Sequence, residues 1–276
     1  MSVHRVCVHW ARMLVACLLL THACGVAAQE TLRIGGNGSG RGGMQMLVDA
    51  FLRQDAAVRM EILPSMGSTG AIKALIAGTI DIVVSSRPPS DEERAEASLV
   101  SIEYARTPFV VAVHKSLGVT ALSSAQLAAL YQEGPAKFPN GKRARPVLRL
   151  ADANGTRLLH AFSPAVATAA SGAATRRGML HADTESEAAD LVERTPGAFA
   201  ACTLALIESE RRPLVALTID GKVPSVANLA NGSYPFHKPL YLIVRKNAGA
   251  STQRFAVFVG SPAGQAMLRA HGHWVR

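Results

Sequence analysis

The sequence predicts an α/β fold in two lobes, the second inserted in the first. Three observations predict it. Short apolar runs alternate from end to end with stretches whose apolar residues recur at i, i+3, i+4. Several of these runs stop at glycine with a hydroxyl or amide residue, and a helical pattern follows, as in α/β units. Two polar stretches, residues 114–119 and 223–239, interrupt the alternation, and if both are hinges the middle third of the chain is the inserted lobe.

The first element is a leader. Arg5 and Arg12 precede and flank an apolar core at 13–20, and Val26, Ala27 and Ala28 supply small residues before Gln29, the pattern of a secretory signal cleaved after Ala28. Eight apolar residues are too few to span a bilayer. Cys24 raises a lipid-anchored form, but Thr21 and His22 fit a lipoprotein signal poorly. Removal of residues 1–28 leaves Cys202 as the one cysteine, so stability rests on core burial without a disulfide. It also leaves 27 basic and 20 acidic residues. This excess suits small anions; scattered cations, four tyrosines and eight phenylalanines argue against nucleic acid, as does export.

Strands are expected at 32–34, 58–63, 80–84, 109–113, 147–150, 198–202, 214–218 and 240–244, in a mostly parallel sheet. Helices are expected around Met44, Leu47, Val48 and Phe51, around Ile72, Leu75 and Ile76, and around Leu158, Ala161 and Phe162. Phe255, Phe258 and Met267 place a last helical segment back on the first lobe. The expected organisation is a leader at 1–28, a first lobe at 29–115, an inserted lobe at 116–230 and a return segment at 231–276.

Three strand-to-helix loops carry the chemistry. The first holds six glycines between Gly35 and Gly43, the second reads SMGSTG from Ser65, and the third reads ADANGT from Ala151. Ser, Thr and Asn before a helix are also ordinary N-caps, so each loop alone says little. Together, beyond the carboxyl ends of strands, they suit a small multi-oxygen anion held by N–H and O–H donors from both lobes. Gly38 to Gly43 also matches G-x-G-x-x-G. A dinucleotide site needs an acid at the end of the second strand, and Ile62 and Leu63 continue that strand past Glu61.

The remaining histidines show no zinc-protease or Cys–His spacing, and His271-Gly272-His273 reads as a solvated tail. No G-x-S-x-G elbow occurs. No metal or organic cofactor is expected. Ser39 or Ser68 as nucleophile would make an exported phosphoester hydrolase, the alternative to a binding protein, and no evident base supports it.

GGNGSG, MGSTGAIKALIAGTIDIVVSSRPPSDEE, ADANGTR, RTPGAFA and GSYPFHKPLYLIVRK occur in that order. This series resembles the extracytoplasmic phosphate-binding proteins of ABC importers, within the type II periplasmic solute-binding class. The resemblance implies two α/β lobes closing on a dehydrated oxyanion, a periplasmic monomer, and delivery of inorganic phosphate, or of sulfate or molybdate, to a membrane permease. By motif it assigns ligand donors to Ser39, Gly40, Ser68, Asn154, Gly155 and Thr156. It departs from the family at three places. Arg87 stands where an aspartate is expected to accept the proton of hydrogen phosphate, Asn154 replaces a serine, and the arginine expected just before the third loop is displaced to Arg149. Arg87 reads either as a ligand contact or as a surface arginine beside the Ser90–Glu93 capping box, and Asp152 either as the substitute acceptor or as a loop residue bonded to its own backbone.

Overall fold

The computed structural model describes residues 29–151 and 153–275. The expected leader, with Cys24, and Asp152 lie outside the described residues. Thr31 to Arg276 fall in one compact unit.

The described part begins with strand β1 (Glu30–Gly36), helix α1 (Gly38–Leu52), β2 (Val58–Ile62), α2 (Gly67–Ile76), β3 (Ile82–Ser85) and α3 (Asp91–Ala97). The long β4 (Leu99–His114) leads to β5 (Ala121–Leu122), α4 (Ser124–Ala129), β6 (Arg145–Leu148), α5 (Asn154–His160), α6 (Pro164–Ala174), β7 (Leu180–His181) and α7 (Glu185–Arg194). Then follow β8 (Ala198–Thr203), α8 (Leu204–Ser209), β9 (Leu214–Ala216), β10 (Thr218–Ile219), α9 (Val226–Ala230), β11 (His237–Arg245), α10 (Ala250–Val259) and α11 (Pro262–Arg269).

One sheet runs β2-β1-β3-β11-β4-β8-β6-β7, with β9 also on β4. β1 and β3 pair in parallel, as do β6 with both β7 and β8. The centre differs from the expected parallel arrangement, because β11 is antiparallel to β3 and β4, and β4 is antiparallel to β8 and β9. The reason is the length of β4. Its first half pairs with β11 and residues 109–113 pair with β8, so one strand serves both sides of the molecule and the returning β11 lies back along it. Pro108, which has no N–H to give a ladder, stands at the changeover.

The core divides at the same places. Two clusters draw on residues from Leu32 to Ala105 and from Leu240 to Val275, and two others on residues from Phe109 to Tyr234. The carboxyl-terminal segment packs on α1, where the Phe51 ring lies 5.3 Å from Phe255 and 5.6 Å from Phe258. The tail is not solvated, however. His273 is fully buried, its ring against Gly43 of α1. Among the described residues, no helix is long and apolar enough to cross a membrane.

Candidate functional site

β1 ends at Gly36 and α1 starts at Gly38, with the Asn37 Oδ1 accepting the Gly40 N–H at 3.1 Å. The glycine-rich stretch is therefore mostly helix. Its missing side chains serve close packing: a Cβ would overlap the Val84 carbonyl at Gly36, Val84 Cγ1 at Gly40 and the Ser209 hydroxyl at Gly42. This bare backbone approaches chiefly the protein itself.

A cleft of 280 Å³ lies at the carboxyl ends of β1, β2, β3, β6 and β7. Its walls bring together Asn37, Ser68, Arg87, Asn154 and Gly155, and add Ser86, Arg149, Arg157, Glu185 and Lys238. No histidine lines it among the described residues.

The helix ends facing the cleft are of two kinds. Asn37 caps α1, and Thr184 caps α7 by accepting the Glu187 N–H. Met66 before α2 and Ala153 before α5 have no side chain that caps. The leading N–H groups of a helix have no partner in a preceding turn, so α2 and α5, without a side-chain cap among the described residues, turn the positive ends of their dipoles to this cleft. Most other helices carry Ser or Thr caps, for example Ser90, Ser123, Ser163 and Ser225.

Ser68 sits at the first turn of α2. Its Oγ accepts the Ser86 N–H at 2.9 Å, lies 3.2 Å from the Ser86 hydroxyl, and is approached by the Asn37 Nδ2 at 3.5 Å. Ser39 and Gly40 lie elsewhere. The Ser39 hydroxyl is fully buried and donates to Glu185 at 2.8 Å, and the Gly40 N–H is held by Asn37. Thr156 lines a separate apolar cavity of 210 Å³, and its hydroxyl donates to the Leu150 carbonyl at 2.7 Å.

Four cations line the cleft, and two are neutralised. Arg87 forks onto Glu93 at 2.7 and 2.8 Å, which raises its pKa and holds the Glu93 carboxyl below the usual range. Lys238 is paired with Glu185, both nearly fully buried, and its ammonium also donates to Ser39 at 2.9 Å and lies 5.5 Å over the Phe109 ring. Burial opposes the Glu185 charge, but Lys238 and the Thr203 and Ser39 hydroxyls outweigh it and keep the carboxyl depressed. Arg149 and Arg157 have no ion pair among the described residues. Burial lowers the Arg149 pKa, against partial support from Glu185, Glu187 and Asp183. One Nη of Arg149 donates to the Asp183 carbonyl at 3.0 Å, and its Nε is buried with no partner among the described residues.

Glu185 and Lys238 were invisible as a pair in the sequence. An acid in the first turn of a helix is ordinary, and nothing near Lys238 marks it as buried. Asp81 and Cys202 behave as bland structural residues: Asp81 accepts the Arg33 N–H at 2.7 Å and Cys202 is buried. Among the described residues, no cluster of three or more His, Cys, Asp or Glu is arranged to hold a metal.

A cleft beyond the strand ends, reached from both sides of one long connecting strand and lined by helix N-termini, defines an α/β fold of the type II periplasmic binding kind. A family model described as the PBP superfamily domain matches residues 24–263, and the chain belongs to that family. A search of curated sequences finds no match. Among solved structures, the chain is similar to a substrate-binding protein from Clostridium perfringens, assigned to phosphate ABC transport and solved with bound phosphate. The two share 22% identity at a TM-score of 0.70, covering 90% of this chain and 100% of the other. An ABC-type phosphate transport receptor from Vibrio cholerae matches at 18% identity and TM-score 0.58, covering 89% and 100%. The fold is shared more widely: the CcmR regulatory domain from Synechocystis, in complex with 2-PG, matches at 15% identity and TM-score 0.55, covering 84% and 96%.

Proposed function

We propose that this chain is an extracytoplasmic solute-binding protein that captures a tetrahedral oxyanion, inorganic phosphate, and presents it to an ABC importer. The observation that carries this reading is the convergence of two helix N-termini, α2 and α5, on a cleft that also holds Arg149, the helix starts having no side-chain cap and the buried Arg149 Nε no partner among the described residues. To such a site an oxyanion supplies several acceptors at once. The Clostridium perfringens relative with its bound phosphate supports the choice of ligand.

Asn154 and Gly155 at the start of α5 and Ser68 at the start of α2 are the donors we assign to the ligand, with Arg149 supplying charge. Arg87 acts at one remove, since Glu93 and Thr69 hold its guanidinium beside the cleft. At about 30 Å³ per water, the 280 Å³ cleft holds several waters more than one oxyanion displaces, so closure of the two lobes completes the site and strengthens each bond by excluding water. Binding proceeds without turnover.

Calorimetric titration of the purified protein, refolded from denaturant to strip carried-over ligand, with phosphate, sulfate and molybdate tests this. One phosphate per chain is expected. Binding of sulfate or molybdate alone would keep the importer class and change the cargo; hydrolysis of a phosphoester would overturn the reading.

A further inference from the structure

The short parallel strands β6 and β7 have a second cavity at their amino ends. Arg149 and Asp183, beyond their carboxyl ends, belong to the cleft, whereas Arg145 opens β6, Leu180 opens β7, and both line a groove of 610 Å³. Four strand residues at about 3.3 Å each separate the two cavities by roughly 10 Å.

The walls of this groove carry Arg143, Arg145, Arg176 and Arg177 against a single carboxylate, Glu133. No ion pair engages any of the four among the described residues. Arg176 is anchored by an Nη that donates to the Tyr131 carbonyl, while its Nε is buried with no hydrogen-bond partner among the described residues. The Arg143 backbone is also fixed. Gly197, at φ +77°, lies so close to the Arg143 carbonyl that a Cβ there would overlap it.

Four guanidiniums gathered in one groove repel one another, and a bound polyanion turns that repulsion into attraction. Their forked N–H groups match phosphate oxygens two at a time. The groove has more than twice the volume of the cleft and falls within the range of small-molecule sites, and Leu130 and Met179 add apolar wall. We propose that this groove binds a small phosphorylated molecule with two or more negative charges, either free or as the headgroup of an anionic lipid.

The test uses the purified protein with pyrophosphate in calorimetry and with vesicles containing cardiolipin, whose headgroup carries two phosphates, in cosedimentation. Ser68→Ala weakens the cleft, and an Arg145→Gln/Arg177→Gln double variant removes two exposed groove cations. Arg53→Gln/Arg59→Gln, exposed and distant in sequence, controls for net charge. At least one probe is expected to bind Ser68→Ala unchanged and to lose about tenfold in affinity in the groove variant, while the control stays within about twofold. Phosphate binding in the cleft should survive the groove variant, which also certifies its fold. Groove-dependent binding of pyrophosphate identifies a free ligand, and of vesicles alone a lipid headgroup. The proposal is overturned if neither probe binds, if binding ignores the groove variant, or if the charge control weakens it equally.

Discussion

Glu185 keeps its charge with 3% of its surface exposed because Lys238, Ser39 and Thr203 all donate to it. Removing one partner of such a pair strands the other in a place water does not reach. Glu185→Gln should therefore cost about 3–5 kcal/mol in urea unfolding, and Glu185→Gln/Lys238→Met should recover most of it. A double variant as unstable as the single one would show that the hydroxyl network, not the charge pair, holds this region. Ser68 has a different duty. Ser68→Ala removes a hydroxyl facing the cleft and should weaken phosphate about tenfold in calorimetry, with only about 1 kcal/mol lost in stability from the Ser86 N–H it leaves. Unchanged phosphate affinity would remove Ser68 from the site.

Helix α5 trades stability for its proposed task. Ala153 has the extended backbone of an N-cap, φ −63° and ψ 138°, but no side chain to cap with. Ala153→Ser should thus stabilise the protein by about 1 kcal/mol and at the same time weaken phosphate binding, because the new hydroxyl takes an N–H meant for the ligand. Stability and affinity rising together would contradict the role assigned to this helix end. In α1 the balance runs the other way. Helix propensity favours alanine over glycine by about 1 kcal/mol, but a Cβ at Gly40 meets both Val84 Cγ1 and the Tyr104 hydroxyl. Gly40→Ala should be destabilising by about 1–3 kcal/mol in urea unfolding. Both helices were legible as strand, glycine, then helix. What the pattern left open was whether each Ser, Thr or Asn faces a ligand or the chain's own backbone. Thr156 and Ser39 face the chain, and Asn37, which the sequence reading passed over, caps α1 while its amide nitrogen reaches towards Ser68.

The two sides of the molecule are joined through β4 and through the Glu185–Lys238 pair, while the carboxyl-terminal segment returns onto α1 of its own side. This makes the fold sensitive to acid. Burial drives the His273 pKa down from 6.5 to about 4, so between those values the unfolded chain binds a proton that the folded chain refuses. Stability is complete above pH 6.5 and falls as the pH drops towards 4, by up to about 3 kcal/mol. Depressed Glu185 adds a further loss below the ordinary glutamate value, as its carboxylate is protonated. Urea unfolding at pH 7 and pH 5 measures this, and His273→Asn should flatten the upper part of the profile. The alternation of apolar runs with helical periodicity, the punctuation by glycine and the series of loop motifs were enough to specify an α/β binding fold and its family, because periodicity and turn chemistry are local properties that the chain carries everywhere. The direction of the central strands, the burial of His273 and the pairing of Lys238 with Glu185 depend on contacts between distant residues, Glu185 and Lys238 being 53 positions apart. Only tertiary packing decides which charges are spent on the protein and which remain for a ligand.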